Sequence, residues 1–274
     1  CLFTAIIHTA FQTLLFRCQP NSRHVSYHNL EVTDKDGIRV VSINRPDKRN
    51  CVNKQTAHEL FTAFEDFNTD ETVHVAVLCG KGETFCAGYD LKELAESVTP
   101  VKSILSQDFG IGSAPMVGAI AAVSGYAVAG GLELALMCDL RIAEEDAVFG
   151  VLSRRFGVPL IDGGTVRLPA LIGLSRALDI ILTGRRVGAQ EALQIGLANQ
   201  VVPKGQALNR AIELAQKIAA FPQKCMLADR RSAYNAAYSS SSLSDALKFE
   251  HHNGICVVAT ESQLGAQNFI NKKY

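Results

Sequence analysis

Apolar residues along the chain come in two spacings. Ile38 to Ile43 (IRVVSI) and Val73 to Cys79 (VHVAVLC) are short, β-branched runs bounded by turn residues, and they read as buried strands. Asp36-Gly37 marks a turn before the first, and Asn44-Arg45-Pro46 stops it. Between the two runs, Ala57, Leu60, Phe61, Phe64 and Phe67 share one face of a helix over Gln55 to Phe67. Val117 to Val123 reads as a further, glycine-thinned strand. Helical spacing returns at Ala177, Leu178, Ile181 and Leu182, at Ala192 and Leu193, and at Leu208, Ala211, Ile212, Ala215, Ile218 and Ala219. Alternation of strand and helix predicts an α/β domain. Beyond Val202 the pattern is helical and poor in strands. A boundary near Pro203 therefore separates a core over 29–203 from a helical C-terminal region over 204–274.

Residues 1–28 stand outside this pattern. They hold Arg17 and Arg23, several Ser and Thr, an apolar run and no acid. That composition predicts an organelle transit segment, which points to the mitochondrial matrix; a secretory signal and a cytoplasmic protein are the rival readings. Ala114 to Leu132 is uncharged and long enough for a membrane span. Pro115, Gly118, Gly125, Gly130 and Gly131 interrupt it and Glu133 ends it, so a buried strand, turn and helix are expected instead.

Composition narrows the function. Of 274 residues, 47% are hydrophobic and 20% charged, enough to build a sizeable core. A net charge of zero gives no electrostatic reason to expect a nucleic-acid partner. The eight cysteines form no C-x-x-C pair, which favours buried free thiols over zinc or a disulfide framework. His251-His252 diverge on a helix and read as surface residues rather than metal ligands. No P-loop, dinucleotide G-x-G-x-x-G or G-x-S-x-G elbow is present in the sequence.

The candidate chemistry centres on Ser124 to Asp139, SGYAVAGGLELALMCD. Gly130-Gly131 sits where small residues give way to a helix-forming run, and the N–H groups of a first helical turn favour negative charge. Glu133 lies in that turn. It is either an acid that suits the helix dipole or a carboxylate that moves a proton beside anion-stabilising donors. Gly80 to Leu91 (GKGETFCAGYDL) is a second loop that can offer backbone N–H groups. Phe149 to Thr165 forms a glycine-rich loop with Asp162 beside Gly163-Gly164.

NRPDKRNCVN (Asn44–Asn53), FCAGYDL (Phe85–Leu91), SGYAVAGGLELALMCDLRIA (Ser124–Ala143), FG…GGTVRL (Phe149–Leu168) and LTGRRVGAQEALQIGLANQVV (Leu182–Val202) follow one another in an order that resembles the enoyl-CoA hydratase/isomerase, or crotonase, superfamily. The resemblance implies an α/β spiral of β-β-α units with a C-terminal helical oligomerisation region, assembled as a homotrimer or a dimer of trimers. It implies an acyl-CoA thioester substrate and no cofactor beyond the coenzyme A of that substrate. It also implies that the backbone N–H groups of Tyr89 and Gly130 form an oxyanion hole for the thioester oxygen. Ala87, Tyr89, Asp90, Leu91, Lys92 and Gly130 would then line the CoA and acyl junction, with Lys48 and Arg49 near the CoA phosphates. Glu133 matches the first catalytic glutamate of the hydratases. The second falls in register on Ser153, whose hydroxyl is too weak an acid to replace a carboxylate. Asp162 matches a catalytic aspartate of dienoyl-CoA isomerases, or else braces the Gly163-Gly164 turn. Arg154 or Arg155 as its partner would lower its pKa. The functions implied are an enoyl-CoA hydratase-like activity first, an enoyl- or dienoyl-CoA double-bond isomerase second, and a non-catalytic acyl-CoA-binding protein third.

Overall fold

The computed structural model describes residues 26–96 and 118–272. The transit-segment reading of residues 1–28 lies, except for its last three residues, outside the described residues. Strands β1 (Leu30–Lys35) and β2 (Ile38–Ile43) form a hairpin through Asp36 and Gly37, both at positive φ as a tight two-residue turn requires. Helix α1 (Lys54–Thr69) leads to β3 (Val75–Gly80), and α2 (Leu91–Glu96) follows the next loop. The chain continues through β4 (Ala119–Val123), β5 (Tyr126–Val128), α3 (Gly130–Met137), β6 (Leu140–Glu144) and β7 (Val148–Gly150). Then come α4 (Gly164–Ile172), α5 (Leu174–Thr183), β8 (Val187–Gly188), α6 (Ala189–Gln194) and β9 (Gln200–Val202). Helices α7 (Ala207–Ala219), α8 (Gln223–Tyr238), α9 (Leu243–Val257) and α10 (Gln263–Ile270) complete it.

One sheet runs in the order β1-β2-β3-β4-β6-β9, parallel everywhere except the β1–β2 hairpin. A second sheet, β5-β7-β8, stands beside it. The large sheet is covered on both faces, which is why its central strands read as continuous apolar runs. Their alternation still sorts side chains. Val75, Val77, Ile120 and Ala122 pack with Ala207, Ala211 and Ala215 of α7, while Ala76, Leu78, Ala121 and Val123 face the main core with Phe64, Leu132 and Phe149. Helix α7 thus covers the second face of the sheet, and its small residues allow a close approach.

Helix α3 is buried all round, with Leu132, Glu133, Leu134, Ala135, Leu136 and Met137 inside. Its C-terminal carbonyls need partners, and buried Arg141 provides them. The guanidinium donates to the Ala135 carbonyl at 3.3 Å and the Cys138 carbonyl at 2.8 Å, and to the Leu197 carbonyl across the fold at 2.7 Å. Asp139 ties the same end to α8, accepting from Arg230 at 2.8 and 2.9 Å and from the Tyr234 hydroxyl at 2.7 Å. The uncharged run over 114–132 contains β4, β5 and the start of α3 in its described part, and among the described residues no helix is long and apolar enough to cross a membrane.

Two glycine substitutions separate close approach from helix propensity. A Cβ on Gly131 lies 2.0 Å from the Cys86 carbonyl oxygen, a backbone atom that cannot step aside. Gly131→Ala is expected to lower stability by about 1–3 kcal/mol, the usual cost of overpacking. Gly254 is inside α9 with nothing near its Cβ position. Gly254→Ala is expected to raise stability by about 0.5–1 kcal/mol. Urea-unfolding midpoints of the two variants check both signs.

Candidate active site

Two loops meet at the N-terminus of α3. Cys86 and Ala127 form a parallel bridge, and the Phe85 and Cys86 N–H groups donate to the Ser124 and Tyr126 carbonyls. The neighbouring Val52–Tyr89 bridge uses the Gly88 carbonyl and the Asp90 N–H, so the Tyr89 N–H between them faces away from Val52. It faces α3. A Cβ on Gly130 would lie 3.5 Å from the Tyr89 nitrogen, and one on Gly88 would lie 3.1 Å from the Gly130 nitrogen. The two backbone nitrogens therefore stand side by side at one wall. Ala129 shapes this wall from a backbone conformation, φ 55° and ψ −125°, that L-residues rarely adopt. Strain of this kind costs of order 1–3 kcal/mol and persists where surrounding bonds over-determine it. The Ala129 N–H donates to the Gly150 carbonyl, and its own carbonyl receives the Leu132 and Glu133 N–H groups.

Glu133 is 2% exposed. Its Oε1 accepts from the Asp162 N–H at 2.9 Å and the Gly164 N–H at 2.8 Å. A Cβ on Gly164 would lie 2.9 Å from that Oε1, so only glycine brings its N–H so close. Burial, opposed by those N–H donors and reinforced by the nearby Asp162 carboxylate, pushes the Glu133 carboxyl up to about 7. A carboxyl held there changes charge near neutral pH.

Glu133, Asp162 and Ser153 line one cavity of about 580 Å³, together with Ala87, Tyr89, Asp90, Leu91, Lys92 and Gly130. The structure thus gathers most residues singled out in the sequence. Lys48 and Arg49 are not among the lining residues; they form the adjoining turn, where the Arg49 carbonyl accepts from the Ala87 N–H. Arg154 donates to the Ile181 carbonyl on α5 at 3.2 Å. Asp162 gives its N–H to Glu133, and its carbonyl accepts from Arg167 at 3.0 Å. The Asp90 carboxylate is held by Arg45 at 2.9 Å, which keeps it below the usual carboxylate range despite its partial burial. Tyr89 turns its phenol to Glu93 at 3.2 Å, and burial with that carboxylate pushes it up to about 12.

Sequence reasoning missed the residues that hold the loops together. Asn50 is fully buried and bonds the Arg45 N–H, the Lys81 carbonyl and the Thr84 carbonyl, so one amide joins three segments. An asparagine and an arginine flanking a proline turn were the available signal. Among the described residues no group of three His, Cys, Asp or Glu side chains is placed to hold a metal ion. His251 and His252 are exposed on α9, and the described cysteines are free thiols.

Residues 33–274 match the family model for enoyl-CoA hydratase/isomerase. The chain is 37% identical over 257 residues to a probable enoyl-CoA hydratase of Rhizobium meliloti, spanning 91% of this chain and 97% of that one. It is 36% identical to a probable mitochondrial enoyl-CoA hydratase of Dictyostelium discoideum, over 88% of each. The fold superimposes on the crystal structure of an enoyl-CoA hydratase subunit from Geobacillus kaustophilus with a TM-score of 0.83 at 33% identity, covering 90% of this chain and 97% of that one. With most of its length matched by the family model and by curated relatives at more than a third identity, the chain belongs to the enoyl-CoA hydratase/isomerase family.

Proposed function

We propose that this chain processes acyl-CoA thioesters through an enolate-like anion, with Glu133 moving the proton. The observation that carries this reading is one buried carboxylate, poised near neutrality, on the same cavity wall as two adjacent backbone N–H groups. The thioester oxygen would sit between the Tyr89 and Gly130 N–H groups. There the charge that develops as the α-carbon gains electron density meets donors that need no reorganisation. In hydration, ionised Glu133 takes a proton from water, the water oxygen bonds to the β-carbon, and the electron pair moves to the thioester oxygen. Returning a proton to the α-carbon completes the step, with Glu133 or Asp162 as its source. The CoA moiety supplies no electrons. Lys48 and Arg49, on the turn beside Ala87, would meet its phosphates.

Double-bond isomerisation is the second reading, and Ser153 favours it. One carboxylate can remove a proton from one carbon and return it to another, so the reaction does not need the second carboxylate that serine cannot supply. A trimer or dimer of trimers is proposed on the apolar side chains exposed along the C-terminal helices, among them Leu243, Leu247, Leu264 and Phe269; sedimentation equilibrium tests it. A mitochondrial matrix location rests on the composition of residues 1–28, and imaging of the tagged full-length chain separates it from a cytoplasmic one.

Incubation with a short 2-enoyl-CoA and separately with a 3-enoyl-CoA tests the reaction. Water added to the first identifies a hydratase; a moved double bond without mass change identifies an isomerase. Silence with both sinks the enzymatic reading for short chains. Glu133→Gln is expected to lower kcat by about 10²–10⁴-fold while acyl-CoA binding persists.

The pH profile gives the sign of the proton step. Glu133 acts as a base when ionised, and its ionised fraction grows as pH rises through about 7. kcat/KM is therefore expected to climb about tenfold per pH unit below that value and to level off above it. Glu133→Gln removes this limb. A falling limb at the same pH would assign Glu133 the acid role.

A further inference from the structure

Residues 88–90 carry one of the two donor N–H groups, and they are held in place from behind. Their pairing with Val52 consists of two bonds, the Val52 N–H to the Gly88 carbonyl and the Asp90 N–H to the Val52 carbonyl, each 2.8 Å. On the α3 side there is no slack: a Cβ on Gly88 would lie 2.9 Å from the Ala129 methyl. Arg45, which is not among the cavity-lining residues, reaches both sides of this pairing. One guanidinium nitrogen donates to the Cys51 carbonyl, just before Val52, and another to the Asp90 carboxylate at 2.9 Å, just after Tyr89. The two side chains are 13% and 17% exposed, so solvent screens the pair weakly. Each is anchored further. The Arg45 N–H donates to the Asn50 side chain, and the Asp90 carboxylate accepts from the Lys92 N–H at 3.2 Å, at the start of α2.

Resting on the acyl-CoA reading above, we propose that Arg45 is a positioning residue for the reaction: by clamping Cys51 and Asp90 it keeps the Tyr89 N–H aimed at the thioester oxygen. Arg45 itself touches neither the substrate nor the reacting atoms. Its effect passes through the direction of one N–H group, and a hydrogen bond weakens steeply as its angle falls. Such a donor counts most when charge has developed on the oxygen, so a loosened clamp slows the chemical step more than it weakens binding. Lysine is no substitute. Its single ammonium lacks the planar fork that serves a carbonyl and a carboxylate in two fixed directions.

The absorbance of a bound chromophoric thioester, 4-(dimethylamino)cinnamoyl-CoA, tests this, because its band moves to longer wavelength as donors polarise the carbonyl. Binding to the unaltered protein is expected to produce that shift. Arg45→Lys is expected to lose about half of it or more and to lower kcat about 10–100-fold, while the Kd of the probe changes by less than about threefold. Asp90→Asn is expected to do the same, and the double variant to be no worse than the poorer single one, as for two members of one contact. Arg39→Lys is the control. It loosens another buried arginine, paired with Asp34 and Asp70, and is expected to lower the melting temperature without moving the band. A full band shift in Arg45→Lys, whatever its turnover, overturns the positioning role. An equal loss of shift in Arg39→Lys overturns it too, because the cause is then a general softening of the fold. A probe that binds the unaltered protein with no band shift overturns the oxyanion reading, and one that does not bind overturns the acyl-CoA reading; the role of Arg45 falls with either.

Discussion

Everything at the site depends on two close approaches to the backbone where no side chain fits. Gly131 presses α3 against the Cys86 carbonyl, and Gly164 presses α4 against the Glu133 carboxylate. The first contact sets the two backbone nitrogens beside each other; the second fixes the carboxylate that faces them. Neither could be loosened without moving the other, because Glu133 and Gly131 are two residues apart on one short, fully buried helix. Bonds at both ends of that helix resist such movement. Ala129, at its N-terminus, is tied to Gly150, and Arg141 gathers the carbonyls at its C-terminus.

Charge inside this framework is handled in two ways. Arg141 donates to carbonyl oxygens at the end of α3 and at Leu197, yet its burial still lowers its pKa. Glu133 receives backbone N–H donors from Asp162 and Gly164, too little to offset its desolvation, and its pKa rises. Burial thus pushes each group toward its neutral form, the arginine down and the glutamate up to about 7.

Much of this was legible in the sequence. The runs at Ile38–Ile43 and Val73–Cys79, the helix over Gln55–Phe67 and the glycine junction at Gly130 all carry their own local periodicity or turn chemistry, and the structure has an element at each. Glu133 stood out as an acid in an apolar run. Strand β1 did not, because LEVTDK is an edge strand whose outer residues are polar and exposed, so it lacks the apolar pattern that marks a buried strand. The links from Asn50 to Lys81 and Thr84, from Arg45 to Asp90 and from Gly164 to Glu133 were also hidden. Each joins residues tens of positions apart, and periodicity holds no information about such distances. The Ser153 hydroxyl, buried with no hydrogen-bond partner among the described residues, is of the same kind, since the lack of a neighbour is a property of packing.

The parallel order of the large sheet sets a schedule for synthesis. Glu133, Ser153, Asp162 and Gly164 have all been translated before residue 165, yet β6 pairs with β9 only once Gln200–Val202 has emerged, and α7 must follow to cover the second face. Parallel pairing across such separations is slow because the chain must be ordered before the contacts repay it. A nascent chain therefore holds its chemistry complete while one face of its sheet is bare. During that interval the apolar strands β3 and β4 are open to self-association, which makes the last third of the chain the guardian of the rest on the ribosome.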